Sequence, residues 1–202
     1  MTPTFRRFAG WAAVLAAGVS GVYTVTFALY VREGYHWAHW ASAIALMISG
    51  FVATPVFVAL HSRLREVEPE FSTLALVTGL VGVLGATIHG AFDVANLAKP
   101  LGGTSADLPS QVDPRGFLTF AFTGLALALF GWLAARTGRL PQLLWPVGGV
   151  AAVLLLVVYF GRMIAFNPHR NFIKFSAVLS GLVVIPAFYL LVARVLLTAD
   201  NT

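Results

Sequence analysis

Charged residues cut this chain into six long apolar stretches. Read from one Asp, Glu, Lys or Arg to the next, the uncharged windows run over 8–31, 34–62, 71–92, 116–135, 140–161 and 175–193, with 24, 29, 22, 20, 22 and 19 residues. A helix rises 1.5 Å per residue, so about 20 apolar residues cross the ~30 Å hydrocarbon core of a bilayer. Each window is one crossing. None shows the period-two alternation of a barrel strand, and an open sheet edge in lipid would leave backbone N–H and C=O groups unsatisfied. The pattern therefore predicts an all-α polytopic membrane protein, a bundle of six transmembrane helices at about 8–31, 37–60, 71–93, 116–135, 142–162 and 175–195, forming a single domain over 1–202.

Composition agrees: 58% of the 202 residues are hydrophobic and 10% charged, against roughly 25% charged in a soluble domain. The longest polar stretch, from about Asp93 to Arg115, is too short for a soluble domain. The first window exceeds the 7 to 15 apolar residues of a secretory signal and is expected to stay as helix one. Absence of cysteine excludes disulfides, thiolate metal sites and thiol nucleophiles. The net charge of +5 is scattered, without the basic run that tracks a phosphate backbone, so nucleic acid is not expected as a partner. Lipid is.

With six spans both termini share a side. Arg6, Arg7, Arg63, Arg65, Arg136, Arg139 and Arg194 fall there, and Arg32, Lys99, Arg115, Arg162, Arg170 and Lys174 on the other. The positive-inside rule is nearly balanced by count. The arginine pair before helix one and the compact basic loops "HSRLREVEPE" and "ARTGRLP" point the termini to the cytoplasm of a multi-pass cell-membrane protein. In the first loop Glu66, Glu68 and Glu70 precede helix three, where negative charge suits a helix start, and are expected only to be solvated.

The outer half then carries most of the polar chemistry. Positions 82, 85, 89, 93 and 96 share a helix face, so "ATIHGAFDVANLAKP" (86–100) places His89, Asp93 and Asn96 on a stripe begun by Gly82 and Gly85. Small residues mark close helix contact in membranes, which turns this stripe into the bundle. An ionisable group inside a span costs about 2.5–3.5 kcal/mol on insertion scales and is a functional-site candidate by default; the plainer reading is a His89–Asp93 pair that staples helix three to its neighbours. Arg162 closes helix five, three residues after Tyr159 and level with Asp93. Paired with Asp93 it is structural; left partly unpaired inside the bundle, its guanidinium is a bidentate receptor for a carboxylate or phosphate. In "VDPRG" (112–116) Asp113 is expected to cap helix four, with Pro114 in the first turn and Arg115 either at the boundary or turned inward. "FNPH" (166–169) reads as a turn fixed by Asn167. The candidate ligand-binding set is His89, Asp93, Asn96, Arg115, Tyr159, Arg162 and Asn167, with no catalytic residue nominated.

His36 and His39 lie in "YHWAHW" (35–40), which has the look of an interfacial aromatic belt. The alternative is a metal held by His39, His89 and Asp93, or a haem with two axial histidines, although no HExxH spacing occurs. Pro55 and Pro186 interrupt helices two and six, which permits a kink and a cavity. The loop "LAKPLGGTSADLPSQ" (97–111) is Gly-, Pro- and Ser-rich and expected to be irregular, a lid or a plain connector.

His89 with Asp93 and Asn96, then "VDPRG", "ARTGRLP", "YFGRMIAFNP" and a last helix broken at Pro186 resemble, over about 80–195, a broad group of bacterial multi-pass membrane proteins of unknown function. That resemblance implies an integral membrane protein of this size and no activity. Three function classes stay open: a binding or transport-like protein taking a small polar or anionic ligand, a metal- or haem-dependent membrane enzyme, and a structural subunit docked on membrane protein partners. No cofactor is assigned.

Overall fold

The computed structural model describes residues 1–99, 113–165 and 171–198. Its six long helices are α1 (Pro3–Glu33), α2 (His36–Leu64), α3 (Pro69–Ala98), α4 (Pro114–Thr137), α5 (Leu144–Ala165) and α6 (Asn171–Thr198). Each contains a stretch long and apolar enough to span a membrane, and no strand occurs among the described residues. The protein is an all-α, six-helix, multi-pass membrane protein. Every helix runs past the C-terminal end of its charge-free window, because a charged residue near a helix end can hold its stem in the bundle and its head at the interface. Asn96 thus lies inside α3, past the expected end at about 93.

Local signals set the helix ends. Thr2 Oγ1 accepts from the Phe5 N–H at 3.4 Å, and Gly34, at φ 71°, closes α1 in the left-handed conformation that glycine adopts without a Cβ clash. At the same level as the α2–α3 turn, Arg136 pairs with Glu68 and lies 5.5 Å over the Trp132 ring. Glu68 is therefore an inter-helix contact, and not merely solvated as its sequence context suggests.

Neighbouring helices pack in chain order, and α6 returns against α1 to close the ring. A Cβ on Gly10 near the start of α1 would meet Leu196 and Leu197 near the end of α6, so both termini lie at one end, the terminal end. Association in lipid rests on packing more than on the hydrophobic effect, and small residues permit it. Ala9, Ala12, Ala13, Ala16 and Ala17 of α1 are buried. The backbones of α2 and α3 meet at Gly90, where a Cβ would lie 2.7 Å from the Ala43 carbonyl oxygen and collide with the Met47 N–H, and at Gly50, which abuts Val83 and Thr87.

The bulky core fills the half of the bundle nearer the termini. Phe57, Phe130, Phe188, Leu60, Leu127 and Leu133 are fully buried, with the Phe57 and Phe130 rings stacked at 5.6 Å. Phe8, Trp11, Leu15, Phe51, Val153 and Phe175 point outward, where lipid tails replace core.

Candidate functional site

Where the large core side chains stop, a cavity of about 100 Å³ begins. All six helices line it, with Ser20 and Tyr23 from α1, Ser49 from α2, Thr119 and Thr123 from α4, and Tyr189 from α6 as its hydroxyl-bearing residues, among apolar neighbours. Two π-helical stretches flank it: Phe117–Phe122 at the start of α4 and Ser180–Val184 in α6. Such segments widen a helix by one residue per turn and recur at functional sites. The second ends just before Pro186, which has no N–H to close a helical turn. Several of the lining hydroxyls are already engaged: Ser20 donates to the Gly181 carbonyl at 2.9 Å and Ser49 to the Leu46 carbonyl at 2.6 Å. The Tyr23 and Tyr189 hydroxyls have no hydrogen-bond partner among the described residues.

Above the cavity, toward the end opposite the termini, the α3 stripe does turn inward. Gly82 and Gly85 abut the π-helical stretch of α4 and the residue that follows it, at Thr123 and at Leu118 and Thr119 respectively. One turn further on, His89 is buried and its Nδ1 lies 3.5 Å from Asp113 Oδ2. His89 is thus partnered by Asp113 of the next helix, and not by Asp93 of its own. Asp113 is fully buried. Its Oδ1 accepts from the Leu118 N–H at 2.6 Å, and its Oδ2 accepts from the Thr119 N–H at 3.1 Å and the Thr119 Oγ1–H at 2.6 Å. The local sequence explains this geometry. Pro114 starts a single 3-10 turn, and Arg115 (φ 58°) and Gly116 (φ 79°) both take left-handed conformations, folding the start of α4 back over the carboxylate. A Cβ at Gly116 would strike the Phe120 ring. Asp113 therefore stands at the start of α4 as expected, but its carboxylate accepts from N–H groups five and six residues on instead of making the usual cap bond.

Burial by itself would push the Asp113 carboxyl up, but hydrogen bonds from His89, from the Thr119 hydroxyl and from the Leu118 and Thr119 N–H groups outweigh it and hold the carboxyl below the ordinary carboxylate range. The result is a continuous polar chain from His89 through Asp113 to Thr119, whose other face lines the cavity.

A second group of polar residues gathers at the same level. Asp93 lies in the electrostatic field of His89, His39 and Arg162, and Tyr23, at the rim of the cavity, feels both Arg162 and Asp93. No direct ion pair joins Asp93 to Arg162 among the described residues; the guanidinium sits 5.8 Å above the Phe120 ring. His39 is stacked on Tyr30, with ring centroids 3.8 Å apart and planes 13° from parallel. The Asn96 Nδ2 is closed off from solvent, with no hydrogen-bond acceptor among the described residues.

Of the residues singled out from the sequence, His89, Asp93 and Arg162 thus come to one end of the bundle, with Asn96 one turn beyond Asp93. Tyr159 does not join them. Its ring packs on Phe117 at 5.2 Å and its hydroxyl meets Met163 Sδ at 3.6 Å, on the outer side of α5. Arg115 is half-buried beside Asp113, and it is not among the charges that Asp93 feels. Asn167, His169 and most of the 97–111 loop lie outside the described residues. The metal alternative loses its geometric basis, because no group of three or more His, Cys, Asp and Glu is placed to hold an ion among the described residues; His39, His89 and Asp93 do not form one.

Sequence reasoning passed over Tyr23 and Thr119 and gave Asp113 only a capping role. A signal for Tyr23 existed: Ser20, Tyr23 and Thr24, at i, i+3 and i+4, form a polar stripe on an otherwise apolar helix. Compared with known families, curated proteins and solved structures, the chain matches none, so the reading of this site rests on the chain's own residues.

Proposed function

We propose that this membrane protein binds a small polar solute in the half of the bundle opposite its termini, as a binding or transport-like component, with no chemical conversion of the solute. The observation that carries this is a mostly apolar cavity bearing hydroxyls from four helices, one of which, that of Tyr23, lies in the electrostatic field of Arg162 and Asp93 from two others. Buried or half-buried polar groups gathered from separate spans are costly to insert, and a pocket with a few convergent polar groups is the default binding site. The expected result is that a panel of small carboxylates, amines, alcohols and amino acids, screened against the full chain in mild detergent, raises the melting temperature for at least one class. Arg162→Gln is expected to abolish that rise while the ligand-free melting point stays within a few degrees. A panel with no stabilising member, or one equally effective on Arg162→Gln, defeats the reading.

The proposal includes orientation: termini in the cytoplasm and site facing outward, supported by Arg6 and Arg7 ahead of α1. Absence of cysteine makes the check clean. A membrane-impermeant maleimide applied to intact cells is expected to label Gly34→Cys, between α1 and α2, and to spare Thr4→Cys. The reverse pattern inverts the topology.

A further inference from the structure

Resting on the proposed binding role, we infer that the solute is a small uncharged alcohol, a diol of about the size of propane-1,2-diol, held in the cavity by hydroxyl-to-hydroxyl hydrogen bonds. The wall sets the charge. No Asp, Glu, Lys, Arg or His lines the cavity among the described residues, and an ion taken from water into a mostly apolar enclosure without a counter-ion is strongly disfavoured. Arg162 takes part only through the wall: its guanidinium sits 5.8 Å above the Phe120 ring, which lines the cavity. A carboxylate or an ammonium therefore meets no partner there, whereas an uncharged solute leaves no charge stranded.

The hydroxyls set the donor pattern. Each has one hydrogen and two lone pairs, and three of the lining hydroxyls have already spent that hydrogen: Ser20 on the Gly181 carbonyl at 2.9 Å, Ser49 on the Leu46 carbonyl at 2.6 Å and Thr119 on Asp113 Oδ2 at 2.6 Å. Two of these acceptors need what they receive. The Gly181 carbonyl belongs to the π-helical stretch and lies five residues before Pro186, which has no N–H to offer it, and the Asp113 carboxylate can only accept. Toward the cavity Ser20, Ser49 and Thr119 can therefore only accept a hydrogen bond. The Tyr23 and Tyr189 hydroxyls make no hydrogen bond among the described residues and keep a hydrogen to donate. An alcohol both donates and accepts, so it matches both sets; an ether only accepts, and sets lone pairs against lone pairs. The volume of about 100 Å³, at roughly 30 Å³ per water, has room for about three waters or one solute of similar bulk, and the apolar remainder of the wall suits its carbon faces.

The test uses the full chain in nanodiscs, with binding read by saturation-transfer NMR, which registers weak ligands. Four probes share one bulk: propane-1,2-diol, its isomer dimethoxymethane, which has no donor, lactate as the anion and 1-aminopropan-2-ol as the cation. Mannitol serves as the oversized polyol. The diol is expected to bind at least about ten-fold more tightly than any of the others, on the scale of one or two neutral hydrogen bonds. Ser49→Ala, whose lost hydroxyl donates only within its own helix, is expected to weaken the diol several-fold while the ligand-free melting point stays within a few degrees, and Thr119→Val to weaken it further. Thr119→Ser, which keeps the hydroxyl, retains binding within a few-fold and separates loss of the hydroxyl from loss of the fold. Dimethoxymethane matching the diol, or Ser49→Ala and Thr119→Val both binding the diol as the parent does, overturns the inference. If lactate or the ammonium compound binds instead and depends on Arg162, the alcohol falls while the binding role stands; if no probe and no panel member depends on Arg162, both fall.

Discussion

Asp113→Ala is expected to be among the most damaging single substitutions in the protein, costing about 3–5 kcal/mol. The fully buried carboxylate accepts three hydrogen bonds from Leu118 and Thr119 and faces His89. Its removal leaves two N–H groups, a hydroxyl and an imidazole without their acceptor. Bonds to a charged acceptor are worth about 1.5–3 kcal/mol each, and stranding one side of a buried pair about 3–5 kcal/mol in total. At roughly 2–4 °C per kcal/mol for a chain of this length, melting in detergent is expected to fall by on the order of 10 °C. Asp113→Asn, which retains one acceptor oxygen, should lose about half as much. The same residue gives stability a pH dependence. Its folded carboxyl titrates below the unfolded value of about 3.9, so its contribution is complete above that value and is lost as pH falls through the lower folded value. Acid melting curves of the parent and of Asp113→Asn are expected to converge below about pH 4. Curves that stay parallel down to pH 2 contradict that account.

Gly90→Ala is the second large effect. Its new Cβ would collide with the backbone of Ala43 and Met47, which cannot swing aside as a side chain can. Overpacking of this kind costs about 1–3 kcal/mol, and the α2–α3 seam must open to relieve it. Gly50→Ala, against Val83 and Thr87, is expected to behave alike. The matched control is Gly18→Ala, whose Cβ meets nothing; there the better helix propensity of alanine is expected to add up to about 1 kcal/mol. Equal melting points for Gly90→Ala and Gly18→Ala would refute a backbone-tight seam.

The charge spacing alone made the fold legible, because lipid forbids most alternatives to a helix and sets its length. The inward turn of the α3 stripe was legible too: Gly82 and Gly85 carry no side chain to keep α4 away, and His89 follows on their face. What the spacing could not show was which partner His89 takes. Asp93 is four residues away on the same helix and Asp113 is twenty-four, yet the left-handed pair Arg115 and Gly116 brings the distant carboxylate into contact. Tyr159 misled for a related reason. Positions three apart on a helix are only neighbours, and the aromatic surface of Phe117 drew its ring to the outer side while Arg162 turned toward Phe120.

The stacked pair Phe57 and Phe130 has a consequence for traffic. On the proposed reading, a solute in the cavity that moves toward the terminal end meets two stacked rings backed by Leu60, Leu127 and Phe188. Passage along that line requires the two rings to part, so the proposed binding role fits a receptor that holds its solute better than an open pore.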